Sequence, residues 1–216
     1  MTRRTPMANS RIATLSLITL FALTACSTSN PSDSEDMETS GGTLSQNIAI
    51  RQTDDLGEPL PFETWHRKRW NSSNDGTSYE PCTAVTPSIA SSLGLDPDSI
   101  ADAATVDGQT LRGCEWHYAA EGMDNWSISQ VVADYESLQY YKNRNESFDW
   151  MDDQHLNGRS IGVGSLNNGH CFSYVQSQDS GVMTAVNFSA LPIPPLREIC
   201  DRAIDLTRAT IDQIPE

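Results

Sequence analysis

The sequence predicts an α+β domain: an antiparallel sheet of about five strands, with a C-terminal helix and a short N-terminal helix packed on it and two disulfides tying the layers together. Three observations carry this. Stretches that alternate apolar and polar residues recur between turn signals from Cys114 to Ala190. From Leu196 to Ile214 the apolar residues change to three- and four-residue steps, the period of a helix. Four cysteines, Cys82, Cys114, Cys171 and Cys200, fall within these segments.

The chain opens with Arg3, Arg4 and Arg11, then an apolar run from Ile12 to Ala22. That run of about eleven residues is short for a membrane span, which needs roughly 20, and has the layout of a secretory signal. Leu23-Thr24-Ala25-Cys26 follows, an apolar residue, two small ones and a cysteine. This is the arrangement of a bacterial lipobox, so residues 1–25 are expected as a cleaved signal and Cys26 as the lipidated residue. Residues 26–68 read as the lipidated cysteine and a flexible tether, because Ser27 to Leu44 has almost nothing apolar to bury. A tether of roughly 20 to 25 residues reaches about 25 to 30 Å. Gln46 to Arg51 suits a short strand, but Asp54, Gly57, Pro59 and Pro61 break its continuation. The envelope domain is expected over residues 69–216.

Just before that boundary lies Trp65-His66-Arg67-Lys68-Arg69-Trp70, the one basic cluster beyond the signal. Trp65, Arg67, Lys68, Arg69 and Trp70 are therefore candidate interaction residues; the alternative is a turn packed back on an acidic domain. Thr86-Pro87 reads as an N-cap followed by proline at the first helical position, with Gly94 as the stop. Cys114, Trp116 and Tyr118 share one face of a strand, and Trp126 to Val132 alternates again. Tyr135 to Asn145 suits a short helix. Asn157-Gly158, Asn168-Gly169 and Asp179-Ser180-Gly181 then divide the remainder into an antiparallel meander.

Cleavage of the signal would leave 11 basic against 29 acidic side chains, a formal charge of −18. Such a chain is repelled by phosphate backbones, so nucleic acid is excluded as a partner. The four domain cysteines are an even set in a chain bound for an oxidising compartment, and none forms a C-x2-C zinc knuckle. Disulfides are expected. Of the three connectivities the economical one joins Cys171 on a strand to Cys200 inside the apolar stripe of the last helix, leaving Cys82 for Cys114.

Catalytic patterns are sparse. Asp149, Asp152, Asp153 and His155 are the densest group of oxygen and nitrogen ligands, but no glycine permits a calcium loop among them. Ser165 is not in a G-x-S-x-G elbow, and His170 beside Cys171 faces the opposite side of its strand. Gly162 and Gly164 leave one strand face almost bare, which suits close packing under a helix or aromatic ring, or the floor of an apolar groove. No catalytic residue, no metal and no cofactor is expected.

The segment from Asn74 through Glu80-Pro81-Cys82-Thr83-Ala84-Val85 to Thr86, then Gly94-Leu95-Asp96-Pro97, Arg112-Gly113-Cys114-Glu115-Trp116, a later strand cysteine and a cysteine in the last helix resembles actinobacterial lipoproteins grouped as domain of unknown function 3558. The likeness runs from about Arg69 to the C-terminus. It implies a corynebacterial, nocardial or mycobacterial type of envelope and no activity. The expectation is a non-enzymatic lipoprotein, held to the outer face of the cytoplasmic membrane through Cys26, that engages an envelope protein. The alternative is a carrier or sensor of a lipid or glycolipid bound between sheet and helix.

Overall fold

Residue alternation produces a sheet with two different faces. On β7 (His170–Ser177), Cys171, Ser173 and Val175 point one way and Phe172 and Tyr174 the other, and all are buried. A strand buried on both faces must be covered on both. The computed structural model, which describes residues 49–216, shows how.

The sheet is antiparallel throughout and has eight strands, in the order β1-β2-β3-β8-β7-β6-β4, with β5 also paired to β6. The long strands are β2 (Arg112–His117), β3 (Trp126–Ala133), β6 (Arg159–Asn167), β7 and β8 (Ser180–Phe188). These five correspond to the strands legible in the sequence. The additional ones, β1 (Ala101–Asp102), β4 (Asp149–Trp150) and β5 (Gln154–Leu156), have two or three residues each, too few to show alternation. The expected count of five is corrected to eight for that reason. The strand suggested at 46–51 is not formed in its described residues, 49–51.

The turns follow their chemistry. Asn157 and Gly158 both have positive φ, +47° and +83°, as a two-residue hairpin turn matching strand twist requires. The meander β6-β7-β8 continues into the β2-β3 hairpin, because β8 pairs with β3 from Gly181 to Phe188.

One face carries α4 (Leu196–Thr210), whose Ile199, Cys200, Ala203, Leu206 and Thr207 are buried on β7 and β8. Two short helices precede the sheet, α1 (Pro81–Ala84) and α2 (Pro87–Ser92), where one was expected. Thr86 caps α2 by accepting from the Ile89 N–H, and Gly94, at φ +74°, lies just beyond its end. Cys82–Cys114 joins α1 to β2 and Cys171–Cys200 joins β7 to α4, at Cα separations of 5.4 and 5.0 Å. Both fall in the range an unforced bridge spans.

A buried polar seam runs between α4 and the sheet. Tyr79 donates its hydroxyl to Gln130, whose amide donates to Thr184 and Thr210, and Thr207 links Thr184 to Ser173. Each group finds a partner, which is the condition for tolerating polarity in a core. Burial drives the Tyr79 pKa well above its ordinary value.

The segment up to residue 68 was assigned to the tether, and its described part is instead packed on the domain. Thr53 bridges Pro59, so the Gly and Pro residues that read as linker shape a small hairpin. The Gln52 side chain bonds both the N–H and the carbonyl of Thr64, at 3.0 and 2.9 Å, and Thr64 donates to Asp102. Polar side chains share this anchoring with Leu60, which is buried in the core, and Phe62, which packs against it. Arg69 completes it. Its guanidinium is fully buried, paired fork-to-fork with Glu80 at 2.8 and 3.0 Å and bonded to Asp102, while Arg112 shares the same Glu80 carboxylate at 3.0 Å.

Candidate functional site

The face of the sheet away from α4 is covered by side chains rather than by a long helix. Three glycines make this possible. A Cβ at Gly162 would lie 2.5 Å from Leu138 of α3 (Leu138–Arg144), one at Gly164 would lie 2.7 Å from the Phe172 ring, and one at Gly181 only 2.1 Å from the Tyr174 ring. The bare strip seen in the sequence at Gly162 and Gly164 is therefore close packing under α3 and aromatic rings. Six rings gather there, from Tyr135, Tyr141, Phe148, Trp150, Phe172 and Tyr174. Tyr141 and Tyr174 stack at 4.8 Å, and Trp150 meets Phe172 edge-on at 5.4 Å.

Beside this cluster the sheet face opens into a cleft of about 250 Å³. Its floor is Val131, Ala133, Gly181 and Met183 from β3 and β8. Tyr135, Tyr141 and Phe148 stand against one side, Thr110 and Leu111 are also in its lining, and Leu166 and His170 belong to the β6–β7 hairpin end. Leu166 is 53% exposed, so the apolar lining continues to the surface. The polar groups here are few. Tyr141 donates its hydroxyl only to the Met183 thioether, and Nδ1 of His170 is buried without a hydrogen-bond partner. Burial lowers the His170 pKa, because the charged ring is the form it disfavours, and pushes the Tyr141 hydroxyl up to about 12, with Tyr135 adding to the effect. The arrangement suits an apolar group entering from outside.

A second depression of about 370 Å³ lies among Pro59, Pro61, Pro87, Pro97, Val85 and Ile100. Its polar boundary includes Glu58, Thr83 and Thr86, and Trp116 beneath it is only 1% exposed. It lacks the ring wall that could grip an inserted group. The aromatic cleft is the better candidate site.

The residues singled out in the sequence fall in separate places. Cys26 lies outside the described residues. The four cysteines form the two disulfides of the economical pairing. The basic cluster is divided: Trp65, Arg67 and Lys68 are exposed, whereas Arg69 is buried in its ion pairs and Trp70 is half-buried, with the Arg69 and Arg51 guanidinium groups over its ring at 4.6 and 4.2 Å. Arg69 and Trp70 are thus structural: the Arg69 guanidinium is buried against Glu80 and Asp102, and the Trp70 ring packs beneath it. Of the acidic group, Asp153 pairs with Lys142 at 2.5 Å, and no three His, Cys, Asp or Glu side chains converge on a metal position among the described residues.

The aromatic cleft was not legible in advance. Its rings come from two loops, α3 and β7, and what signalled a second covered face was the bare strip at Gly162 and Gly164 together with the alternation in β7 of Phe172 and Tyr174 against Cys171 and Val175. No helix among the described residues is long and apolar enough to cross a membrane. No curated protein and no solved structure matches the chain. Residues 21–213 match the family profile described as Protein of unknown function (DUF3558), so this chain belongs to that family.

Proposed function

We propose that the protein is an actinobacterial cell-envelope lipoprotein, anchored by a lipid on Cys26 to the outer face of the cytoplasmic membrane, whose domain binds an envelope protein and performs no chemistry. The signal layout and Leu23-Thr24-Ala25-Cys26 support the anchor. The aromatic cleft carries the binding reading. At about 250 Å³ it is below the roughly 300 to 1,000 Å³ of pockets that enclose a small ligand, and it opens at Leu166. That is the scale of a pocket for one or two apolar anchor side chains of a partner. A bulky glycolipid bound between sheet and helix fits less well, since Ile199, Ala203 and Leu206 fill the space under α4.

The test has two arms. Palmitate labelling in an actinobacterial host is expected for the chain and absent from Cys26→Ser. A photo-crosslinking residue at Leu166 is expected to capture one identifiable envelope protein, and Met183→Glu in the cleft floor to abolish the capture with the fold intact. Lipid co-purifying in place of protein would reverse the reading in favour of a carrier.

A further inference from the structure

We infer that the exposed half of the basic cluster, Trp65 with Arg67 and Lys68, is a contact for phospholipid head groups that sets how the domain sits on the membrane. The inference rests on the anchored-lipoprotein reading, and the geometry bears on it independently of the cleft. Gln52 clamps Thr64 through two hydrogen bonds, so the beginning of the described chain is fixed beside residue 64. The edge bearing Trp65 is therefore the edge at which the chain enters the domain from its N-terminal side. A chain held by its N-terminus presents that edge to the anchoring surface first.

The chemistry of the edge is unlike the rest of the molecule. Trp65 is 72% exposed, whereas Trp116 and Trp126 are buried and Trp70 and Trp150 are partly covered. Next to it is the loop of Val106, itself 59% exposed, pinned by His66 to the Ala104 carbonyl at 3.0 Å and by the Lys68 N–H to Asp107 at 2.6 Å. A tryptophan beside an aliphatic residue, flanked by cations, is the composition that sits at the level of lipid head groups. Without its signal the chain carries a formal −18, so a local cluster of cations offers anionic lipid an attractive contact on an otherwise strongly acidic molecule. Two exposed apolar side chains are too small a patch for a stable protein interface, which needs on the order of 1,000 Å². For a tethered domain a weak contact suffices, because tethering raises its effective concentration to the millimolar range.

The experiment avoids dependence on Cys26. The mature chain with Cys26→Ser and an N-terminal hexahistidine is held on vesicles of phosphatidylcholine and phosphatidylglycerol that contain nickel-chelating lipid. Acyl chains brominated near the head group serve as the quencher of tryptophan emission. Quenching with a blue shift is expected for this chain, and loss of both for Trp65→Phe, an exposed position where folding is unaffected. Arg67→Gln and Lys68→Gln are each expected to weaken the contact by about fivefold. Absence of quenching, or equal quenching in Trp65→Phe, overturns the assignment; the latter would point to another apolar edge such as Leu191 and Ile193. Failure of palmitate labelling at Cys26, by contrast, would remove the anchor and leave this result standing.

Discussion

Gly181 shows how tightly single residues constrain the second face. With the Tyr174 ring 2.1 Å from where its Cβ would be, Gly181→Ala forces that ring off Tyr141, and overpacking of this kind costs about 1 to 3 kcal/mol. Urea denaturation should show the midpoint falling with an unchanged slope. The tyrosines beside it make stability depend on alkaline pH. An unfolded tyrosine ionises at about 10, whereas burial holds the folded Tyr141 hydroxyl protonated up to about 12. Above pH 10 the unfolded chain therefore carries fewer protons than the folded one. The stabilisation is complete below that pH and is lost as pH rises through 12. Melting temperatures measured from pH 9 upward should fall, and Tyr141→Phe should fall less steeply.

At the scale of elements, α4 is held by the burial of Ile199, Ala203 and Leu206 on the sheet, by one covalent link and by the seam from Ser173 to Thr207. Closing a loop of 29 residues is worth about 3 to 4 kcal/mol. Cys171→Ser with Cys200→Ser should lower stability by that amount, read from chemical denaturation, with α4 still docked in the near-UV spectrum. Elements with a local signal were legible in the sequence. The α2 cap at Thr86, the Asn157-Gly158 turn and the stripe of α4 are each fixed by neighbours a few residues away. What was hidden depends on distant partners. β1, β4 and β5 exist because longer strands offer them an edge, and Arg69 is buried because the Glu80 and Asp102 carboxylates come to it from two separate segments. The cleft belongs to this second kind, assembled from side chains whose spacing in the chain follows no period.

The whole molecule combines a high negative charge with a sheet covered on both faces. At −15 the chain repels itself, and the repulsion is felt over a screening length that shrinks from about 30 Å at 0.01 M salt to about 8 Å at 0.15 M. Adding salt across that range should raise the melting temperature, by about 2 to 4 °C for each kcal/mol of repulsion removed. The short strands at the margins of the sheet have a different consequence. Along the outer side of β2, Gly113 accepts from Ala103, the His117 carbonyl accepts from Asp96 and the His117 N–H donates to Ser99. Along β6, β5 and β4 occupy successive stretches, and the Met151 N–H takes the Val163 carbonyl between them. An open strand edge is a template for pairing with another chain. Here those main-chain groups already have partners, so two copies brought together at high density gain little by joining edge to edge, and crowding does not turn the sheet into a seed for aggregation.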